Sequence, residues 1–393
     1  MPTPVKSSKI VRVTRANSRS AVKDRLRRIN WDFPNAGNGD SIHSVHPYPA
    51  RFIADIPRTL IRELPFPRGT AVLDPFCGCG TTLVEAQAAG FSSVGIDLNP
   101  IACLIARVKT QALPVGLSAA SAAVVHAAKA IRAPIIPPIP NLDHWFQKPV
   151  QAAIASLTSE IESLPPGDLP DHMRLALSSI LVRVSNQDSD TRYAAVGKRV
   201  SADQVFAQFL AACRRLEDAK AHLPFSFPQS HVIQRDILDV TPDRVPLPIG
   251  LVITSPPYPN AYEYWLYHKY RMWWLGYDPV AVKAKEIGAR AHYFKKNHPT
   301  VDDFRNQMRS VFSLLSRVTV PSGFLCIVIG RSRIHGQDID NGTLLTEIAV
   351  DVGFLNIVRI TRNILSTRKS FNLSHARIVT EDLLVFQRPP DRK

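Results

Sequence analysis

The sequence predicts a doubly wound α/β fold with a seven-stranded sheet and an all-helical insertion. Three observations lead there. A strand, a glycine-rich turn, a helix and a second strand follow one another between Ala71 and Asp97. A block of purely helical periodicity then runs from Trp145 to about Leu223. After it the strand–helix alternation resumes and closes on two strands near each other in sequence. Such alternation buries a mainly parallel sheet between two helical layers.

Taken in order, residues 1–40 are polar and basic and read as a flexible arm. Ile56 to Leu64 carries a short helical pattern, and Ala71-Val72-Leu73-Asp74 is apolar, short and followed by glycines, the signature of a buried strand. Thr81 to Ala89 continues as helix, with Gly90 as its stop. Ser93 to Asp97 is a second strand ending on an acid, and Asn99 to Ala112 a further helix. A proline-rich linker at 134–140 precedes the helical block, which Leu164-Pro165-Pro166-Gly167 and the polar stretch 186–200 divide into three pieces. The remaining strands fall at His231–Ile233, Gly250–Thr254, Gly323–Gly330, Phe354–Thr361 and Asp382–Phe386. The chain so divides into the arm (1–40), a first half of the α/β domain (41–140), a helical insertion (141–225) and a second half (226–393).

Charge narrows the partners. Lys and Arg number 48 against 33 Asp and Glu, for a net charge of +15 and a pI near 9.8. A surplus of this size favours polyanions, nucleic acid first among them. Between Lys6 and Arg28 stand nine basic residues and one acid, Asp24. A solvated tail and an arm that grips phosphates are both consistent with that. No apolar run has membrane-spanning length and no signal-peptide core is present, so a cytoplasmic protein is expected, with no membrane partner. The five cysteines include no pair at zinc-finger spacing, and Cys77-Gly78-Cys79 has no matching His or Cys pair nearby. No metal is expected, and the thiols are expected to be reduced.

Two segments carry chemistry. In Asp74-Pro75-Phe76-Cys77-Gly78-Cys79-Gly80-Thr81-Thr82 the glycines let backbone approach a ligand at a strand-to-helix turn. The helix beginning at Thr81 offers free N–H groups to a carboxylate. Asp97 stands 17 positions after Gly80 at the end of the next strand, where an acid can accept both hydroxyls of a ribose. A dinucleotide fingerprint would place a third glycine at position 83, which is Leu83. The second segment, Thr254-Ser255-Pro256-Pro257-Tyr258, follows an apolar strand directly. Its prolines fix the backbone and withhold N–H donors. Carbonyl groups and the Ser255 hydroxyl are thereby left facing the cleft. An exocyclic amino group on a nucleobase is a poor nucleophile because its lone pair is delocalised into the ring. Acceptors on its N–H groups, here Ser255 Oγ and the Pro256 carbonyl, draw the nitrogen towards tetrahedral geometry. Tyr258 offers a face on which an extruded base can stack. Methylation at a ring carbon would need a thiolate, and no Pro-Cys dipeptide occurs in the chain.

On these motifs the chain resembles the bacterial amino-directed (N4-cytosine or N6-adenine) DNA methyltransferases. Asp74–Gly80 is similar to the family's cofactor motif, Gly95-Ile96-Asp97 to its acidic motif and Ser255–Tyr258 to its catalytic motif. His46–Phe52 is similar to the segment preceding the cofactor loop, and Arg235-Asp236-Ile237-Leu238 to the third-strand motif, with Asp236 near the cofactor adenine or the target base. Cys79 departs from the small Ser or Ala commoner at its position. The resemblance implies a class I (Rossmann-like) methyltransferase sheet and S-adenosyl-L-methionine as cofactor. Asp74, Pro75, Phe76, Gly78, Gly80, Thr81, Thr82, Asp97 and Asp236 would bind it. Double-stranded DNA is the implied partner, and a cognate restriction endonuclease a second one that a single sequence does not identify. A serine-first tetrapeptide goes with cytosine N4 and adenine N6 is the alternative, since both amino groups need the same acceptors. More remote readings are an RNA guanine-amino methyltransferase, which usually has an acid-first tetrapeptide, and an inactive DNA-binding protein, against which intact Ser255–Tyr258 and Asp97 argue.

Residues 258–277 hold six of the nine tyrosines and three of the five tryptophans. Tyr262, Leu266, Tyr270 and Trp273 fall at helical spacing, so part of this stretch packs as core. The rest, with the basic residues that follow, is expected to face DNA, and the candidates are Tyr262, Lys269, Arg271, Arg290, Lys295, Lys296, Arg331 and Arg333. The segment 260–333 is accordingly the expected reader of the DNA site, with the helical block assisting.

Overall fold

The protein is described by a computed structural model that covers all residues except 1–17, 35–40, 50, 191, 193, 222–227, 260–262, 295–297, 335–336, 365–378 and 392–393. Its strands are β1 (Ala71–Asp74), β2 (Ser93–Asp97), β3 (Ser230–Gln234), β4 (Ile249–Thr254), β5 (Thr319–Gly330), a short hairpin of β6 (Ser332–Ile334) and β7 (Gln337–Ile339), then β8 (Leu355–Asn363) and β9 (Thr380–Gln387). Seven of them form one sheet in the order β3-β2-β1-β4-β5-β9-β8. Strands β1 to β5 pair in parallel, and β9 inserts antiparallel between β5 and β8. This is the strand order of the class I methyltransferase sheet, and all seven expected strands take part in it. The β6–β7 hairpin was not expected, because three-residue strands carry too little periodicity to read.

Alternation along the strands splits the core in two. Val72, Leu251, Ile253, Phe324, Cys326 and Val385 face one side, where α1 (Arg19–Arg27), α2 (Asp55–Glu63) and α3 (Thr81–Ala88) contribute Val22, Leu26, Ile56, Leu60 and Ala86. α4 (Pro100–Thr110) follows β2, with Asn99 as its cap and Pro100 in its first turn. The helical region then comprises α5 (Leu117–Ala130), the single-turn α6 (Leu142–Trp145), α7 (Lys148–Glu162), α8 (Asp168–Val184) and α9 (Ala202–Lys220). Its core around Val124, Ile154, Leu157, Leu177, Ile180 and Phe209 is continuous with Leu104 and Ile105 of α4 and with Met272 and Trp274 further along the chain. α5 lies within the 41–140 segment yet packs with α7 and α9. After β4 come α10 (Tyr264–Trp274), α11 (Pro279–Lys285), α12 (Val301–Val318) and α13 (Asn341–Asp351). α12 and α13 cover the opposite side of the sheet, with Phe304, Met308, Phe312, Leu345 and Ile348 against Leu73, Val94, Val252, Leu325 and Phe386. A capping box starts α12: Thr300 Oγ1 accepts from the Asp303 amide at 3.2 Å and the Asp303 carboxylate accepts from the Thr300 amide at 2.7 Å.

Part of the expected arm is folded. Ser18 caps α1, and Val22 and Leu26 are buried against the sheet. Trp31 Nε1 donates to the Leu26 carbonyl at 2.9 Å, and Asp32 accepts from the Asn363 amide at 2.6 Å. The reason is visible in retrospect: Val22, Leu26 and Trp31 give this basic stretch one apolar face. Lys6, Lys9, Arg12 and Arg15 lie outside the described residues. Among the described residues no helix is long and apolar enough to cross a membrane, and no group of three or more His, Cys, Asp or Glu could hold a metal ion.

Candidate active site

The site lies at the carboxyl ends of β1, β2 and β4. Successive crossovers leave the sheet in opposite directions from β1 and β4, so a crevice opens between their ends. The glycine loop after β1 turns on Gly78 and Gly80, at φ 48° and 75°. Gly80 begins α3 in the left-handed region, and a Cβ there would lie 2.8 Å from the Ala106 Cβ of α4. Only glycine satisfies both demands. Gly95 serves differently: a Cβ on it would meet Leu83 Cδ1 at 2.7 Å and Cys77 Sγ at 2.9 Å, so its absence lets β2 press against the loop. From α4, the buried Lys109 Nζ donates to the Cys79 carbonyl at 3.0 Å and holds the loop from beneath.

Two carboxylates organise the crevice. Asp74 is buried; its Oδ1 accepts from Thr254 Oγ1 at 2.7 Å and from the Phe76 amide at 3.1 Å. The residue before the serine-proline-proline segment is thus tied directly to the first residue of the glycine loop. Asp97 accepts from the Gly78 amide at 2.8 Å and from the Asn99 amide at 2.8 Å. Burial pushes both carboxyls up, each to about 6, against the opposing pull of these hydrogen bonds.

A cleft of about 130 Å³ opens here. Its lining brings together Asp74, Pro75, Phe76, Gly78, Thr81, Asp97, Asp236, Ser255 and Pro257. The two segments singled out in the sequence, 180 positions apart, therefore share one cavity. Gly80 and Thr82 sit behind the lining, in the turn and the first turn of α3, and Pro256 is buried. Tyr258 is half-buried outside the lining, with its phenol donating to Glu381 Oε1 at 3.0 Å. The 46–52 segment enters from the side. His46 Nε2 hydrogen-bonds Ser178 Oγ of α8 at 2.9 Å, and Tyr48 lines the cleft with its ring 5.2 Å from that of His268 and 6.4 Å from that of Tyr264.

The basic candidates separate. Arg271 is 2% exposed, so it is a structural anchor and not a surface cation. Its Nε donates to the Ser178 carbonyl at 3.0 Å, its Nη1 to the Tyr267 carbonyl at 2.9 Å, and its Nη2 pairs with Asp190. The helical periodicity of 262–273 placed it on the wrong face. Lys269 lies over the Tyr270 and Trp273 rings at 5.1 and 5.9 Å. Arg290 is half-buried. Arg331 and Arg333 are exposed beside and within the β6–β7 hairpin, where they face Asp340 at 3.8 Å and Asp338 at 3.7 Å. Tyr262, Lys295 and Lys296 lie outside the described residues.

Glu286 was missed in the sequence. It lines the cleft and accepts from the Tyr264 and Trp265 amides at 2.7 and 3.0 Å, capping α10 from a distant segment. Burial pushes its carboxyl up to about 8. No motif marks it, because a cap supplied across 22 positions has no local pattern.

Residues 5–108 match the model of a family described as DNA methylase. The chain is 43% identical over 70 residues to the Type II methyltransferase M.MjaII of Methanocaldococcus jannaschii, a match covering 18% of this chain and 13% of that protein. It is 28% identical over 168 residues to the Type II methyltransferase M.MvaI of Kocuria varians, covering 39% and 37% respectively. The matched segments thus span well under half of these relatives. Among solved structures, a TehB-like SAM-dependent methyltransferase from Corynebacterium glutamicum aligns over 84% of this chain and 86% of that one, at 12% identity and a TM-score of 0.31. The segment matched by that family, residues 5–108, takes in the glycine loop and Asp97.

Proposed function

We propose that the protein is a DNA methyltransferase that moves a methyl group from S-adenosyl-L-methionine to the exocyclic N4 of cytosine in double-stranded DNA. Adenine N6 is the alternative target. The observation that carries the reading is the one cleft lined together by Asp74–Cys79 of the glycine loop, Asp97, Ser255 and Pro257. The residues fit the cofactor. Asp97 presents a carboxylate for ribose hydroxyls, the N-terminus of α3 presents amides for a carboxylate, and Asp236 and Ile237 flank the far wall. When bound, S-adenosylmethionine supplies an electrophilic methyl group on a sulfonium sulfur.

The protein's own part is positioning. Ser255 Oγ and the Pro256 carbonyl accept the two N–H bonds of the target amine, which restores its lone pair. Tyr258 stacks on the extruded base. No side-chain nucleophile is required, in keeping with five cysteines that are all buried. Exposed Arg331 and Arg333 past the end of β5 are proposed to meet the phosphates, and the 260–333 segment to read the site. The reading is tested by incubating unmethylated DNA with the full chain and labelled cofactor, digesting to nucleosides and resolving the product by mass. N4-methyl-deoxycytidine is expected. N6-methyl-deoxyadenosine would move the target to the alternative, and label on neither base would end the reading.

Cofactor affinity should depend on acidity. In the free protein the carboxyl of Asp97 is held up to about 6 by burial, whereas accepting ribose hydroxyls requires the ionised form. Binding therefore releases a proton below that pH, and affinity is lost as pH falls through about 6, by up to roughly tenfold per pH unit. Calorimetric titration between pH 5 and 8 checks this, with Asp97→Asn expected to flatten the profile. A wild-type profile that stays level down to pH 5 would remove Asp97 from the ribose.

A further inference from the structure

We infer that Glu381 is a positioning residue for Tyr258, and that the N-terminal segment around Trp31 completes the same brace. This rests on the methyltransferase reading above and deepens it. Tyr258 leaves β4 four positions past Thr254, where the sheet no longer supports the chain. Its backbone is closed from one side by Gly288, where a Cβ would lie 2.8 Å from the Tyr258 carbonyl oxygen. On the other side its phenol donates to Glu381 Oε1 at 3.0 Å.

Glu381 is itself held. β8 and β9 pair antiparallel with Arg362 directly opposite Glu381, so the two side chains share one face of the sheet. Arg362 is 2% exposed and donates through Nη1 to Glu381 Oε2 at 2.6 Å. Its Nε donates to the Trp31 carbonyl at 2.8 Å. The brace therefore runs from the segment after α1, through edge strand β8 and its neighbour β9, to the tyrosine of the catalytic segment. A charged, nearly buried arginine is a costly way to hold a surface loop, and it has a clear use in fixing a carboxylate. With one oxygen taken by Arg362, the other oxygen of Glu381 fixes where the Tyr258 hydroxyl and hence its ring plane must lie.

The test is a double-mutant cycle on the full chain, read as kcat and KM for unmethylated plasmid DNA and as cofactor affinity. Glu381→Ala is expected to lower kcat about tenfold with cofactor affinity unchanged, the size of effect that loose positioning gives. Glu381→Gln keeps an acceptor and should recover most of that loss. Tyr258→Phe breaks the same bond without stranding Arg362, so it serves if the alanine variant does not fold. In the Tyr258→Phe background, Glu381→Gln or Glu381→Ala should cost less than about twofold more. Equal losses in both backgrounds, or a Glu381→Ala variant with wild-type kcat, would overturn the inference. Wild-type protein that methylates no DNA would instead overturn the functional reading on which it stands.

Discussion

Asp97→Ala should weaken S-adenosylmethionine binding by about 100-fold or more while leaving a folded protein. The carboxylate stands at the end of β2 in the wall of the cleft, where it would accept two ribose hydroxyls. Each hydrogen bond to a charged acceptor contributes on the order of 1.5–3 kcal/mol, and every 1.4 kcal/mol is about tenfold in affinity. A second effect adds to the first. Asp97 also holds the Gly78 and Asn99 amides, both at 2.8 Å, so the substitution loosens the glycine loop itself. Leaving those amides unpaired costs roughly 1–3 kcal/mol each, less any part that water recovers. Thermal melting should therefore fall by several degrees alongside the loss of binding. Calorimetric titration gives the affinity and circular dichroism the melting midpoint. Unchanged affinity in a folded Asp97→Ala protein would remove the residue from the cofactor site.

Ser255→Ala should lower the rate of methyl transfer about 100-fold, with cofactor affinity within a few-fold of wild type. Removing one preorganised hydrogen-bonding group from a reacting centre typically costs that much. The change deletes one oxygen and leaves the Pro256-Pro257 backbone in place, since the segment is anchored by Thr254 on Asp74 at 2.7 Å and not by Ser255. Loss should therefore appear in single-turnover rates and not in the binding of either partner. Full activity in Ser255→Ala would show that the acceptor is elsewhere in the segment. Loss of cofactor affinity equal to the loss of rate would place Ser255 in the cofactor site instead.

Much of the glycine loop's geometry was legible because its demands are local. A left-handed turn at Gly80, a helix start at Thr81 and an acid ending β2 are each written within a few residues of where they act. The tetrapeptide was legible for the same reason, its two prolines fixing the backbone directly. The basic and aromatic stretch was read less well. Helical spacing showed that one face would be buried, yet it did not show which, and Arg271 was assigned to DNA although it closes a contact with Ser178 and Asp190 from α8 and the segment after it. That contact lies 81 to 93 positions away and has no trace in the local pattern. Glu286, capping α10, and Glu381, holding Tyr258, were invisible for the same reason.

The sequence by itself determined the α/β class, the seven strands, the glycine loop with Asp97 and the Ser255–Tyr258 segment, because periodicity, glycine conformation and proline geometry act over a few residues. Tertiary structure alone decided that these two segments share one cleft, that β9 slips between β5 and β8, and that a basic N-terminal stretch docks as α1 on the sheet. It alone decided which charges face solvent. Those outcomes depend on which distant surfaces must be buried together, a condition that the whole chain satisfies at once and no window of it records.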